Sequence, residues 1–268
     1  MKKILSLIVL VLFIMGCKKR VLPEVYSYNY DNKAFSVGDG VRVYFSQGNL
    51  QYNAYTDTWR FAENQYDYIG DANSNISASY DGWVDLFSWG TGNNPTSTHY
   101  QSYHDWGDNV IINGDGKQWR TLTNNEWSYV INERKTISGI RYVTANVNSI
   151  NGVILLPDRW NVDLYDFKDH NGGGSYYSNV VSKSDWLSKL EANGAVFLPA
   201  AGLRLNNANG GVSIGDVGSA GYIWSRSSEG FVAGVWDAYC VFVLGSHLRI
   251  GSIAGDTGLS VRLVCPSN

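Results

Sequence analysis

The chain has 268 residues, 44% of them hydrophobic, and 21 basic against 24 acidic side chains give a formal charge of −3. That balance, with no basic patch, excludes the electrostatic footprint of nucleic-acid binding, and the length suffices for one large domain with a full core. With 10 Trp, 18 Tyr and 29 Gly beside only 5 Pro, the composition favours strands and loops over a helical bundle.

The chain opens with Met1-Lys2-Lys3, an apolar run from Ile4 to Met15, and then Gly16-Cys17. The run is too short to span a bilayer as a helix and has the layout of a secretory signal. Its ending resembles a bacterial lipobox, which implies removal of residues 1–16 and a membrane anchor through lipid on Cys17. An ordinary signal peptide with an incidental Cys17 is the alternative. Residues 17–34 read as the lipidated cysteine and a polar tether, and 35–268 as the folded domain. Loss of Lys2 and Lys3 makes the mature chain more acidic. The expected place is the bacterial cell envelope, lipid-anchored to the outer membrane. Some Bacteroidota-type lipoproteins carry an acidic surface-export run after the cysteine. Lys18-Lys19-Arg20 departs from it, so the side of the membrane stays open.

Val41 to Phe45 alternates, and Asn49 to Tyr52 follows after Ser46-Gln47-Gly48, which predicts a hairpin. Trp59-Arg60-Phe61 is a third short strand. Residues 67–116 are loop-rich, with Trp83, Leu86, Phe87 and Trp89 expected to plug the loops into the core. A helix is predicted over 121–134: Thr123 and Glu126 are spaced as a capping box, and Trp127, Val130 and Ile131 fall on one face. Val153 to Leu156 is a short buried strand stopped by Pro157. A second helix is predicted over 182–192, capped by Ser182 with Asp185, with Trp186, Leu187 and Leu190 as its apolar side and Asn193-Gly194 as its stop. Ala195 to Leu198 is another buried strand, and 206–221 reads as a loop. No internal repeat is visible. The fold class is α+β, with short antiparallel strands, two helices and long loops. Pairing of the first strand with Ser260-Val261-Arg262-Leu263-Val264 would bring the chain ends together.

Residues 221–264 organise the functional reading. Tyr222-Ile223-Trp224 opens this stretch as an aromatic strand, and Val261, Leu263 and Val264 close it as an apolar one. The span 226–259 between them is irregular, and an irregular span on a rigid frame is the design of a binding surface. Phe231, Val232, Val235, Phe242, Leu244, Leu248 and Ile250 make it unusually apolar. Alternation buries about half of these, and the rest would form an exposed patch. Trp236, Tyr239, His247 and Arg249 are favoured anchor types. Tyr239 and Val241 are assigned to the core, and Arg249, His247 and Phe231 to the surface. The candidate ligand-binding residues are Arg226, Ser228, Glu229, Phe231, Val232, Trp236, Phe242, Leu244, His247, Arg249, Ile250 and Asp256.

The blocks YFSQGNLQYN at 44–53, WRFAENQYDYIGD at 59–71, DLFSWGTG at 85–92, WRTLTNNEW at 119–127, GVILLPD at 152–158, GAVFLPAAG at 194–202, GYIWS at 221–225 and SVRLV at 260–264 resemble one family. It is the Bacteroidota and Fibrobacter family of exported proteins with a C-type lectin-like fold, related in architecture to formylglycine-generating enzymes. The blocks are in order and span nearly the whole mature chain. Some members of the wider group are variable proteins of diversity-generating retroelements, in which mutated adenines turn AAY codons into many others. Residues 226–259 contain no Lys, Gln or Met, and only Glu229 and Trp236 lie outside the set that AAY codons can reach. An unvaried paralogue with ordinary strand residues is the alternative.

The resemblance implies a lipid-anchored, non-enzymatic ligand-binding protein, with an unknown protein, a phage or host surface, or a glycan as partner. A formylglycine-generating type of oxidase is the enzyme alternative. It needs a reactive cysteine pair in a cleft, and neither Cys240 nor Cys265 stands in that motif; a disulfide between them and two free thiols are both open. A structural envelope lipoprotein is the third reading. Gly211 to Gly215 matches G-x-S-x-G without the strand–turn–helix context of a nucleophile elbow. Asn113-Gly114-Asp115-Gly116 fails as a calcium loop, because Ile111 and Leu122 would stand at ligand positions. Asn93-Asn94-Pro95 and Trp160-Asn161-Val162-Asp163 differ from the calcium-dependent sugar motifs of C-type lectins. His99, His104, Asp105 and Asp108 are close in sequence as any polar loop allows. No metal and no cofactor are assigned.

Overall fold

The computed structural model describes residues 32–232 and 234–267. The signal segment 1–16, Cys17 and most of the tether lie outside the described residues. Fifteen strands and two short α-helices follow. They are β1 (Phe35–Gly38), β2 (Val41–Phe45), β3 (Leu50–Asn53), β4 (Thr58–Phe61), β5 (Trp83–Val84), α1 (Asn124–Ser128), β6 (Tyr142–Val147), β7 (Ile150–Leu155), β8 (Val180–Val181) and α2 (Lys183–Asp185). The C-terminal part adds β9 (Val196–Pro199), β10 (Leu203–Asn206), β11 (Val212–Gly215), β12 (Gly221–Val232), β13 (Val235–Val243), β14 (Leu248–Ala254) and β15 (Val264–Pro266). The class is α+β, built mostly of short antiparallel strands with few helices. No helix among the described residues is long and apolar enough to cross a membrane.

Two of the five sheets among the described residues, with three apolar clusters, form the layers. The sheet β12-β13-β14 presents Trp224, Ala238 and Cys240 to one cluster, with Trp59, Phe87, Trp106 and Leu263. Its other face gives Ile223, Val241, Val243 and Leu248 to a second, shared with Trp127 and Val130 of the first helical segment. The sheet β8-β6-β7-β9 closes that second cluster with Val153, Leu155 and Leu198. Its far face carries Val143, Ile154 and Phe197 to a third, under Trp186 and Leu190. Alternation along each strand therefore feeds two cores at once.

Both predicted caps form, because they are local chemistry, although the first helix begins at Asn124 and not at Thr121. The Thr123 hydroxyl accepts from the Glu126 N–H at 3.1 Å, and the Glu126 carboxylate accepts from the Thr123 N–H at 2.8 Å. Ser182 accepts from the Asp185 N–H at 3.0 Å. Neither stays α-helical: α1 widens into a π turn over Tyr129–Glu133, and α2 into one over Trp186–Leu190. Gly194, at φ +89°, ends the second in the left-handed region, where glycine carries no Cβ penalty. Leu187 does not join the apolar side and is exposed, since the π turn shifts its angle away from Trp186 and Leu190.

Two other expectations are corrected, and one strand is added. The stretches 41–45 and 49–52 do not form a hairpin with each other. β2 pairs with β1 and β15, and the chain runs on through Ser46 along the C-terminal segment, where Ser46 and Leu50 donate to Leu263 and Val261 at 2.9 Å each. That is the predicted closure of the chain ends, made at the hairpin's expense. Residues 206–221 are not all loop: β11 pairs with β10 around the Asn207–Gly211 turn. β6, which the sequence reading did not mark, is buried along its length between two cores.

Candidate functional site

β12 and β13 form a long hairpin whose inner half is framework. Tyr222 and Trp224 pair with Phe242 and Cys240, and the Trp224 indole donates to the Phe87 carbonyl at 2.7 Å. The register then shifts twice, between Trp224 and Ser228 and between Ser228 and Gly230. The second shift reverses the parity of the outer strand, so Phe231 comes to face the same side as its partner Trp236. Re-aiming a side chain is what a β-bulge does.

At this tip the exposed Phe231 ring stands edge-on to Trp236, with centroids 5.2 Å apart and planes at 87°. Phe231 is 70% exposed, and Val232 and Val235 at the turn are exposed as well. Tyr100 stacks on Trp236 at 5.8 Å and 13°, and Trp89 and Tyr103 continue the cluster inward. The Arg226 guanidinium lies 5.7 Å from the Tyr103 ring. The Asp256 carboxylate accepts from the Tyr100 N–H at 2.7 Å and faces His99 Nδ1 at 3.3 Å. Ser228 and Glu229 are exposed on the outer edge. Seven of the expected residues (Arg226, Ser228, Glu229, Phe231, Val232, Trp236 and Asp256) thus belong to the hairpin's outer end and the loop that supports it.

The other five do not join them. Phe242 is half-buried against Tyr222, with the Arg249 guanidinium 4.4 Å above its ring. Leu244 packs on the first core. His247 is half-buried in the β13–β14 turn, where its Nδ1 meets the Ser246 hydroxyl at 2.8 Å. Ile250 pairs with Val241 and turns into the second core. Six strand positions separate Trp236 from Phe242, roughly 20 Å at strand rise. The expected single face is therefore two ends of one sheet, and Ile250 is half-buried against the second core. Tyr239, expected in the core, is half-buried opposite Ser252, whereas Val241 is fully buried.

No family model, curated protein or solved structure matches this chain. The tip must therefore be read from its own chemistry.

Among the described residues both thiols are free and buried, Cys240 in the sheet and Cys265 on β15, paired across to Tyr44. Burial pushes the Cys240 thiol up to about 12 and raises Cys265, so neither is a thiolate at neutral pH. In the middle loop, Asp105 and Asn113 have structural duties. Asp105 accepts from the Thr121 N–H and hydroxyl at 3.1 and 2.8 Å, and Asn113 brackets both backbone groups of Phe61 at 2.8 and 3.0 Å. Among the described residues no group of three or more His, Cys, Asp and Glu is placed to hold a metal ion. Ser213 lies within β11, its hydroxyl on Asn207 at 3.1 Å.

Sequence reasoning missed Tyr100 and the supporting role of His99. The aromatic spacing Tyr100, Tyr103, Trp106 was the available signal.

Proposed function

We propose that this is a non-enzymatic binding protein whose ligand is met by the β12–β13 tip. The observation that carries the reading is the exposed Phe231 ring fixed against Trp236, itself stacked on Tyr100. Water-exposed apolar side chains held rigid on a sheet lose little conformational entropy on binding, and aromatic anchors dominate interface energies. The mixed charges of Arg226, Glu229 and Asp256 around them suit a polar rim.

The wider reading is a lipoprotein held to the bacterial outer membrane through Cys17, with C-type lectin-like architecture. The closure of β15 on β2 and the long loops around a C-terminal sheet support that resemblance. The ligand classes are a protein, a phage or host surface, or a glycan. Diversification by a retroelement belongs to the same reading, because Arg226, Ser228, Phe231, Val232 and Val235 are exposed and of types that AAY codons reach. Sequencing the flanking DNA tests it: a near-copy of codons 226–264 beside a reverse transcriptase, mismatched only at adenines, is the expected result. Binding itself is tested by retention of cells or phage on the immobilised full chain, which Phe231→Ser should abolish.

A further inference from the structure

Away from the tip, an open cleft of about 580 Å³ lies between the 107–120 loop and Pro266. A second hollow of about 440 Å³ shares Lys117, Gln118 and Pro266 with it and leads on to Tyr44. These volumes are in the range of small-molecule sites. None of the residues assigned to the tip lines either one. We propose that this cleft binds a neutral carbohydrate, with Trp119 as the stacking ring and Asp108, Asn109 and Gln118 as hydroxyl partners.

The ring is set before any ligand arrives. The Trp119 indole donates to the Gly114 carbonyl at 2.9 Å, and the ring packs edge-to-face on Phe61 at 4.8 Å. Gly107 permits the close backbone approach, since a Cβ there would lie 2.3 Å from the Trp119 carbonyl oxygen. A half-buried indole with its own donor already satisfied offers an apolar face and little entropy to lose.

The charges argue for a neutral ligand. Arg120 is held bidentate by Glu126 at 2.9 and 2.6 Å, and Lys117 is paired with Asp115 at 3.6 Å. Among the described residues lining the cleft, each cation thus already faces a carboxylate. A cationic ligand, in turn, would share the cleft with both basic groups. The free hydrogen-bonding groups suit hydroxyls instead. Among the described residues the Asp108 carboxylate and the Gln118 amide have no partner, and Asn109 commits its amide N–H groups to Gly92 and Trp106 while its carbonyl oxygen is free. Hydroxyls can donate to the two oxygens and accept from the Gln118 amide. Lys117 Nζ lies 5.9 Å from the Trp119 ring centre.

The test is calorimetric titration of the full chain with cellohexaose, xylohexaose and mannohexaose, and with hexagalacturonate as a charged control. At least one neutral oligosaccharide should bind. Trp119→Ala should weaken it about tenfold or more, in the manner of an aromatic anchor. Because Trp119→Ala also loosens Phe61, the double variant Asp108→Ala with Gln118→Ala, both exposed, gives the decisive comparison and should weaken binding several-fold. Phe231→Ala should leave it unchanged, which separates this cleft from the tip. Binding of none of the neutral sugars, binding of hexagalacturonate alone, or unchanged affinity in the double variant overturns the proposal.

Discussion

Tyr100 lies flat on Trp236, ring planes 13° apart, and its backbone N–H is held by Asp256. A loop residue is thus fixed to the hairpin tip by a carboxylate 156 positions further along the chain. Removing that carboxylate with Asp256→Ala should free the loop and uncover Trp236. The expected outcome is a red-shifted Trp emission with stronger acrylamide quenching, and a stability loss of about 1 kcal/mol, since one charge-assisted hydrogen bond at a half-exposed site is lost. Unchanged quenching would mean that the stack does not depend on Asp256.

Tip and framework should respond very differently to truncation. Phe231→Ser removes an exposed ring and should change unfolding free energy by no more than about 0.5 kcal/mol. Trp224→Ala removes a fully buried ring with a satisfied N–H and should cost about 3–5 kcal/mol. Urea midpoints of the two variants measure the contrast.

Much of the framework was legible because it is written in local chemistry. The Thr123–Glu126 box, the Ser182 cap and Gly194 act within a few residues of themselves. What the sequence did not reveal is non-local. Ser46 and Leu50 look like the flanks of a turn until Leu263 and Val261 take their N–H groups. Parity along 226–259 could not be read either. The bulge between Ser228 and Gly230 turns Phe231 toward Trp236, and the pairing of Ile250 with Val241 turns Ile250 inward. Tyr100 was missed because its contact with Trp236 joins residues 136 positions apart (236 − 100).

Arg134 is a buried cation with a single carboxylate partner. Its guanidinium meets Asp158 at 2.9 Å and the Leu156 carbonyl at 2.8 Å, and Asp158 also takes the Ser36 N–H at 2.9 Å. Asp158→Ala leaves that charge uncompensated and should cost about 3–5 kcal/mol. Pairing the change with Arg134→Met should restore part of the loss, which a double-mutant cycle in urea measures.

Asp85 supplies a pH dependence of defined sign. Complete burial raises its carboxyl to about 6, against the lowering effect of hydrogen bonds from Asn73 and the Ile69 N–H. The folded state therefore takes up this proton at higher pH than the unfolded chain, whose Asp titrates near 3.8. Its contribution is fully present below about pH 4 and is lost as pH rises through 6, by up to about 3 kcal/mol. Unfolding free energy compared between wild type and Asp85→Ala from pH 4 to 8 should show this slope in the wild type only.

Burial should also protect the two thiols. Iodoacetamide at pH 8 should label neither Cys240 nor Cys265 in the native protein and both in urea without reductant, read by peptide mass. A disulfide-linked peptide, or rapid native labelling, would contradict the free, protonated thiols.

Recognition at the β12–β13 tip is tested most directly by one comparison. Immobilised full chain, a Phe231→Ser/Val235→Ser tip variant and an Arg249→Ser variant at the far end of the sheet are each exposed to cells and phage from one habitat. Wild type and Arg249→Ser should retain the same particles, and the tip variant should retain at least about tenfold fewer. Equal retention by the tip variant, or loss with Arg249→Ser alone, would contradict recognition at the tip.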